Sequence, residues 1–362
     1  MLLRFSGIYT SLLLLLFSAN IFANPVGKSD GSKEFDVNEM IMHHIKDAHE
    51  FHIMDIDGHA VSFPLPIILW TDKGLVTFLS SEFNHNDSGE VIVERKGQEF
   101  IKYHEKIFYA NNTGGDKYVA YDVAGNVTNK KPLDLSITKM VFSMFLSMLL
   151  LILIFVTTAK TYSKSKKGEP TGLGKFTEPL VMFIKDEVAL PMIGEKNYQK
   201  YMPFLLTLFF FIWINNVMGL IPFFPFSANL SGNIAFTFVL AAITFIITTV
   251  VGNKDYWKHI FWMPGIPVPM KLFLAPIEFL GIFIKPISLM IRLFANISAG
   301  HIIILSLISL IFIFKSLWLA PASLFFSVFI SLIEVLVVAI QAYIFTMLSA
   351  LYIGSAIEEH EH

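Results

Sequence analysis

The sequence predicts an all-α polytopic membrane protein with about five membrane-crossing helices, one interfacial amphipathic helix and a small, β-rich extramembrane domain at the N-terminus. Hydrophobic residues make up 54% of the 362 residues and charged residues only 15%, whereas soluble domains are roughly a quarter charged. Long apolar stretches are confined to the part of the chain after residue 136, and the preceding part is polar and mixed.

The first 23 residues have the pattern of a secretory signal peptide. Arg4 supplies a positive charge, Leu12–Phe17 forms a short apolar core, and Ala23 is a suitable cleavage residue. This apolar run is short for a membrane span, so we expect a cleaved signal. Residues 24–135 would then form a periplasmic domain.

Short runs of β-favouring residues, separated by turns such as Lys73-Gly74 and Ser88-Gly89, predict that this domain is mostly β. The predicted strands are Ala60–Phe63, Ile67–Trp70, Leu75–Leu79, Glu90–Arg95 and Ile107–Ala110. Histidines cluster at positions 43, 44, 49, 52 and 59, in a spacing that matches no compact metal site. We therefore expect solvated surface histidines.

The charges that flank the apolar stretches predict the orientation of the membrane domain, residues 136–357. Lysines 160, 164, 166 and 167 follow the first span, residues 137–157, so that end is expected in the cytoplasm. Residues 174–189 are too polar to span and predict the interfacial helix. Spans at 203–221 and 234–251 enclose a loop without Lys or Arg, which is expected outside.

The last two apolar stretches, 272–314 and 320–355, are each longer than the roughly 20 residues that one perpendicular crossing needs. They are expected to tilt strongly or to kink, with Pro276 and Pro286 as candidate kinks. The loop before them carries Lys254, Lys258 and Lys271 and is expected inside, and Pro264, Pro267 and Pro269 are expected to break any helix in it. This topology leaves residues 358–362 as a cytoplasmic tail.

The first long stretch carries Glu278, Lys285 and Arg292 at intervals of seven residues, which is nearly two helical turns. All three therefore share one stripe, and Ser288 and Asn296 extend it on either side of Arg292. Two interpretations of Glu278 and Lys285 stay open, a structural ion pair between helices and a functional pair.

His301 lies nine residues beyond Arg292, about half a turn away around the helix, so we expect it to face a different neighbour. The second long stretch holds Glu334 and Gln341 seven residues apart, with Ser331 one turn before Glu334.

Ionisable groups at membrane depth are costly, by about 2.5–3.5 kcal/mol on insertion scales, and are a functional hypothesis by default. Arginine keeps its charge in proteins, so Arg292 is a fixed cation that can stabilise a passing carboxylate but cannot relay a proton. Glu334 and His301 can titrate and pass protons along water, which Asn296 and Gln341 can hold. A carboxylic acid that comes and goes is missing opposite Arg292, and we infer that a partner supplies it.

The runs Lys285–Leu305 (KPISLMIRLFANISAGHIIIL) and Ile333–His360 resemble the C-terminal signature of subunit a of F-type ATP synthases. Asn216–Pro222 and Asn229–Phe236 resemble earlier spans of that family, and Asn216 joins the supporting polar residues. The resemblance covers about residues 135–360, and the N-terminal extension outside it suits a Bacteroidetes-type bacterium.

The resemblance implies a role for each polar position. Arg292 matches the family's essential arginine, which faces the carboxyl groups of the rotating c-ring and keeps two half-channels from short-circuiting. Asn296 and Gln341 match polar residues beside it, and His301 and Glu334 match the two positions that line the outward half-channel. Many bacterial members have Glu at the first of these and His at the second, so the pair is exchanged here.

The implied function is that of the non-catalytic stator subunit that passes protons to and from the c-ring. Its partners would be the c-ring, the subunit b peripheral stalk and the lipid bilayer of the bacterial inner membrane. Composition and motifs argue against other classes: cysteine is absent, the net charge is −2, and no phosphate-binding loop is visible. We therefore expect no cofactor, no bound nucleotide and no nucleic-acid partner.

Two rival functions remain at this stage. A secondary transporter would show internal repeats or matched broken helices, and no convincing repeat is visible. A membrane scaffold would use the buried charges only to hold helices together. A titrating pair at His301 and Glu334 favours H⁺ over Na⁺ as the coupling ion.

Overall fold

The computed structural model describes residues 46–56, 59–111, 118–122, 124–164, 172–221, 224–263, 266–314 and 317–358. The chain divides into two compact units. The first contains residues up to 143 together with 221–228, and the second contains residues 144–220 and 229–362. The predicted signal peptide lies outside the described residues, and of the predicted tail only Glu358 is described.

The first unit contains a small β-rich domain, as predicted. Its strands are β1 (Glu50–Ile56), β2 (His59–Pro64), β3 (Pro66–Thr71), β4 (Gly74–Leu79), β5 (Val93–Arg95), β6 (Gln98–Tyr103), β7 (Lys106–Tyr109) and β8 (Leu133–Asp134). All pairings are antiparallel, in a β1–β2 hairpin and two three-stranded sheets of order β4–β3–β8 and β5–β6–β7.

Alternating apolar residues of these strands form the core of the domain, because successive side chains of a strand point to opposite faces. Ile67 and Leu69 on β3 are fully buried, as are Phe83 after β4 and Phe100 on β6. The sequence patterns had missed β1, β6 and β8. Glu99 and Lys102 interrupt the apolar alternation in β6, and Lys102 is nevertheless buried.

The expectation of solvated histidines was wrong for His49, which is only 3% exposed. Its Nε2 lies 3.2 Å from Oδ2 of Asp134, and its Nδ1 lies 3.8 Å from Oε2 of Glu105. Burial alone would lower the pKa of His49, but the hydrogen bonds and charges of both carboxylates outweigh it and raise the pKa from 6.5 to about 9. His52 is exposed as expected, and His43 and His44 lie outside the described residues.

Glu105 also faces a second buried cation. Nζ of Lys102 lies 3.6 Å from Glu105 and 3.3 Å from Glu50. Burial alone would raise the pKa of Glu105, but the hydrogen bond with His49 and the charge of Lys102 lower it to about 2. The domain therefore contains a buried chain of alternating charges, which satisfies groups that would otherwise be costly to bury.

The helices follow the predicted order closely. They are α1 (Lys139–Lys164), α2 (Gly174–Ile184), α3 (Leu190–Ile193), α4 (Tyr198–Gly219), α5 (Ile234–Val251), α6 (Lys254–Phe261), α7 (Val268–Ile313) and α8 (Ala320–Ile357). Among the described residues, five helices are long and apolar enough to cross a membrane, namely α1, α4, α5, α7 and α8. The polytopic fold class is thereby confirmed.

The predicted interfacial helix is longer than expected, because α2 continues through a π-helical turn at Lys185–Ala189 into α3. Its apolar residues Ile184, Val188 and Ile193 are buried, whereas the charged residues Asp186 and Glu187 are exposed. This distribution is typical of an amphipathic helix.

The region before the first long helix differs from the prediction. Residues Lys254–Phe261 form the additional helix α6, and α7 already begins at Val268, four residues earlier than expected. Pro269 is accommodated because the amide of a residue in the first helical turn has no intrahelical partner. Pro276 and Pro286 both lie inside α7, which is assigned as one continuous helix.

Candidate functional site

The two long helices α7 and α8 are antiparallel neighbours. Three side-chain contacts run along them, from Asn296 with Gln341, through His301 with Glu334, to Ser323 with the carbonyl of Leu307. Residue numbers rise on α7 as they fall on α8, so a single register brings the polar groups together.

Two of these contacts join the polar side chains that the sequence had singled out. Nδ2 of Asn296 donates to Oε1 of Gln341 at 2.8 Å. Nδ1 of His301 lies 2.8 Å from Oε1 of Glu334, which is 3% exposed. The pair is therefore a proton donor and acceptor held at hydrogen-bonding distance inside the membrane domain.

A glycine allows this close approach. A Cβ atom added to Gly300 would lie 2.5 Å from Oε1 and 2.7 Å from Cδ of Glu334. Since real Cβ atoms essentially never come that close, any larger residue at this position would have to displace the carboxylate. The imidazole of His301 also interacts with the backbone of Gly219 at the end of α4, so it lies between α8 and α4.

The expectation that His301 faces a different neighbour from Arg292 was wrong. Asn296, which shares a stripe with Arg292, and His301 both bond α8. The charge of Arg292 also acts on Tyr352, which lies on α8 as well. A helical wheel gives the direction of a side chain but not its reach, and α8 runs close enough to α7 to meet side chains on a broad face.

Arg292 is half-buried in α7 and forms no ion pair with a carboxylate of the described chain. Nζ of Lys285 lies 5.7 Å from the ring centre of Tyr352, and the charge of Arg292 also acts on this tyrosine. A guanidinium without an anionic partner in its own chain can bind a carboxylate from outside it.

Glu278 and Lys285 form no ion pair with each other, which weakens the interpretation that they only hold helices together. Both line a cavity of about 240 Å³, together with Tyr256 and His259 of α6 and Ser355 of α8. Burial and the nearby carboxylate of Glu278 raise the pKa of Tyr256. This polar cavity is large enough for several waters.

The remaining supporting residues are placed less specifically. Oγ of Ser331 donates to the carbonyl of Ser327 within α8, at 2.8 Å. Ser288 is half-buried on α7. Asn216 is buried in α4, and neither its Oδ1 nor its Nδ2 has a hydrogen-bond partner in the described structure.

Two of the predicted site residues, Glu334 and Gln341, each keep one buried polar atom, Oε2 and Nε2, without a partner among the described residues. Sequence reasoning missed further atoms of this kind, namely Oδ1 of Asn215, Nδ2 of Asn229, Oγ of Ser231, Oγ of Ser298 and Oγ of Ser327. The 3-10 turn Leu230–Gly232 packs against both α4 and α7, and α8 packs against α4, so these elements adjoin one another. Buried polar atoms without protein partners are usually satisfied by water.

Within the ranges that the structure describes, no group of three or more His, Asp or Glu could hold a metal ion. The arrangement instead offers titratable side chains, amides and hydroxyls, which suit proton transfer.

Two families match the sequence, one for each unit. Residues 141–354 match the family described as ATP synthase A chain, and residues 40–135 match one described as a domain of unknown function (DUF8433). The first match includes Arg292, Asn296, His301, Glu334 and Gln341.

Curated relatives agree with the first match. An ATP synthase subunit a from Chloroherpeton thalassium is 43% identical over 235 residues, which cover 63% of this chain and 69% of the relative. One from Chlorobium phaeobacteroides strain BS1 is 47% identical over 237 residues, covering 63% and 68%. One from Anaeromyxobacter dehalogenans is 35% identical over 288 residues, covering 77% and 73%.

The family match covers more than half of the chain and all five candidate spans in whole or in large part. The chain therefore belongs to the ATP synthase A chain family, as a multi-pass bacterial membrane protein of the F-type subunit a kind that carries an N-terminal extension and serves as a proton-channel stator subunit of the Fo sector.

Proposed function

We propose that this chain provides two half-channels and a fixed arginine that pass protons to and from the c-ring, coupling proton flow to ATP synthesis. The observation that carries the proposal is the arrangement on α7 and α8. A titratable pair, His301 with Glu334, and an amide pair, Asn296 with Gln341, lie beside Arg292, whose charge has no carboxylate partner within the described chain.

Arg292 acts as the fixed charge between the two half-channels. Because a guanidinium stays protonated in proteins, it cannot carry a proton across the membrane. It favours the ionised form of a c-ring carboxylic acid that moves past it, and so promotes proton release. Asn296, one helical turn away and bonded to Gln341, keeps the polar surface continuous beside it.

Glu334 and His301 conduct protons in the outward half-channel. Their 2.8 Å contact allows a proton to pass between the carboxylate and the imidazole. Support comes from the unpartnered polar atoms of Asn216, Asn229 and Ser231, in elements that adjoin the pair. Water that satisfies these atoms would form a hydrogen-bonded path from the outer surface.

The inward half-channel ends in the cavity lined by Glu278 and Lys285. A proton released near Arg292 would reach it past Tyr352, which both Arg292 and Lys285 approach. In this account Glu278 and Lys285 are functional rather than purely structural, and Ser288 and Ser331 support the polar stripe.

The orientation follows from the charge asymmetry of the loops. The N-terminal domain and the mature N-terminus lie in the periplasm, the C-terminus lies in the cytoplasm, and residues 1–23 are a signal peptide. The partners are the c-ring, the subunit b peripheral stalk and the lipids of the inner membrane.

Reconstitution tests this function against a secondary transporter. The chain alone and the complete complex are placed in separate proteoliposomes, and proton movement is followed with a pH-sensitive dye. We expect ATP-driven proton pumping by the complex and no directional transport by the chain alone. Uptake of a substrate by the isolated chain would favour the transporter. Mass spectrometry of material purified through a tag on this chain should recover c-ring and subunit b.

A further inference from the structure

Four phenylalanine rings connect three separate segments of the first unit. Phe51 and Phe63 belong to the β1–β2 hairpin, Phe142 belongs to the first turns of α1, and Phe224 belongs to the loop between α4 and α5. The ring centres of Phe51 lie 5.5 Å from Phe142 and 5.3 Å from Phe224. Phe63 lies 5.0 Å from Phe224 and 6.3 Å from Phe142. We name this set the aromatic clamp.

The β domain is also fixed to the start of the first span by polar contacts. The amide of Lys139 donates to the carbonyl of Ala48 at 2.8 Å, and the amide of Met140 donates to Oδ1 of Asp47 at 3.0 Å. These amides belong to the first helical turn, where no intrahelical acceptor is available. The base of the domain is therefore held at one end of α1.

The clamp holds Phe224, in the segment that leads into the 3-10 turn Leu230–Gly232. Residues 221–228 belong to the first unit, and the amide of Ser227 donates to the carbonyl of Ile221 at 2.8 Å. The next residues along the chain are Asn229 and Ser231, whose buried polar atoms support the outward half-channel in the proposed function. The position of this loop therefore determines where the chain segment with Asn229 and Ser231 begins.

We propose that the N-terminal domain positions the α4–α5 loop through the aromatic clamp and thereby controls proton uptake from the outer side. Phe224 and Phe63 are positioning residues in this role, which rests on the proposed function. Phe224 and Phe63 are 40% and 41% exposed, so replacing either by alanine leaves no large cavity in the core of the domain. Phe51 is only 1% exposed and is therefore unsuitable for such a test.

The role predicts a specific change in pH dependence. With a displaced loop, the path from outside delivers protons more slowly, so the defect is largest where outside protons are scarce. ATP synthesis by Phe224→Ala should fall at least roughly 2- to 10-fold at alkaline periplasmic-side pH, the factor that a single aromatic pair contributes, because Phe224 contacts three rings of the clamp. It should approach the parent rate at acidic periplasmic-side pH. The dependence of the ATP synthesis rate on the cytoplasmic-side pH should stay unchanged.

The experiment uses the complete complex in proteoliposomes at a fixed membrane potential. The pH on the side of the N-terminal domain (the periplasmic side) and the pH on the opposite, cytoplasmic side are varied separately. Phe63→Ala should give a smaller shift in the same direction, because Phe224 keeps its contacts with Phe51 and Phe142. The double variant should be no worse than Phe224→Ala alone. Phe224→Tyr should restore the profile. Trp70→Ala, a 58% exposed aromatic of the same domain outside the clamp, is the matched control and should leave it unchanged.

An unchanged outside-pH profile in Phe224→Ala and Phe63→Ala, in complexes that assemble fully, would overturn the positioning role. A rate reduced by the same factor at every pH would also overturn it, since that result indicates a purely structural effect. If Arg292→Ala abolishes pumping in the same preparations, such results reject this inference alone. Retained pumping in Arg292→Ala would instead reject the proposed function.

Discussion

Nδ1 of His301 lies 2.8 Å from Oε1 of Glu334, across the seam between two antiparallel helices of 46 and 38 residues. The contact exists because Gly300 has no side chain to exclude the carboxylate. A buried carboxylate with a titratable partner, one unpartnered oxygen and little exposure is a costly arrangement in a membrane. Such unfavourable burial is expected where the buried groups have a function, and proton transfer is the function that this pair suits.

Exchanging His301 and Glu334 tests whether proton transfer needs one acid and one imidazole in contact, or needs each of them at its present position. His301→Glu alone would place two carboxylates face to face, so one of them must stay protonated or move away. We expect ATP-driven proton pumping to fall at least about tenfold, the lower range of the effect of a positioned proton-transfer group. The double variant His301→Glu with Glu334→His restores one acid and one imidazole and should recover most of the activity.

Pumping is measured by dye quenching in proteoliposomes that contain the complete complex. A double variant as inactive as His301→Glu would contradict the account, because it would show that the pair is not simply an acid and an imidazole in contact.

Gly300→Ala should displace the Glu334 carboxylate without changing any polar group. The added Cβ would overlap Oε1 and Cδ of Glu334, and such overpacking costs about 1–3 kcal/mol or forces the side chain to move. Pumping should fall while the assembled complex retains its ATPase activity. Gly281→Ala on the same helix is the matched control, since nothing lies within 4 Å of its added Cβ. Equal pumping by both variants would argue against the close approach.

Gly354→Ala should destabilise the packing of α8 against α3. An added Cβ at this position would overlap the carbonyl oxygen of Met192, and a backbone atom cannot rotate away as a flexible side chain can. The free energy of unfolding should fall by roughly 1–3 kcal/mol. Thermal melting of the detergent-solubilised chain, followed by intrinsic fluorescence, measures the change against Gly281→Ala. An unaltered melting temperature would contradict this packing.

Much of the membrane domain could be predicted because its determinants are local. Span length, flanking charge and the seven-residue spacing of Glu278, Lys285 and Arg292 are all properties of continuous segments. The register between α7 and α8 is not local. Because it depends on which side chains fit across the seam, the contact of His301 with Glu334 and the role of Gly300 required the structure.

The β domain was harder to predict for a different physical reason. Strand patterns assume that charged residues face water, yet Lys102 and His49 are buried by ion pairs with distant parts of the chain. Glu105 and Asp134 lie 56 and 85 residues from His49, and nothing in the local sequence indicates these partners. Among the buried polar atoms of α4, Asn215 could have been found, since an amide within an apolar helix is itself a signal.

The stability of the β domain should depend on pH through His49 and Glu105. The folded pKa of His49, about 9, exceeds its unfolded value of 6.5, so its contribution is complete below pH 6.5 and is lost as the pH rises through 9. The folded pKa of Glu105, about 2, is below its unfolded value of 4.5, so its contribution is complete above pH 4.5 and is lost as the pH falls through 2. Stability should therefore be maximal between these two unfolded values.

Hydrogen exchange of peptides from residues 98–109 in the full-length chain, corrected for the intrinsic pH dependence of exchange, measures this effect. Protection should fall between pH 6.5 and 9 in the parent chain, and His49→Gln should remove most of that dependence. His52→Gln, which changes an exposed histidine three residues away, should preserve it. The same pH dependence in parent and His49→Gln would show that another group titrates.

The most direct measurement of the central claim is ATP-driven proton pumping by the complete complex with Arg292→Ala. The account predicts that pumping is lost although the complex assembles, because α7 carries no Lys or Arg after Lys285 other than Arg292. It also predicts a passive proton leak, since the fixed charge no longer separates the two half-channels. Full pumping by this variant would contradict the account.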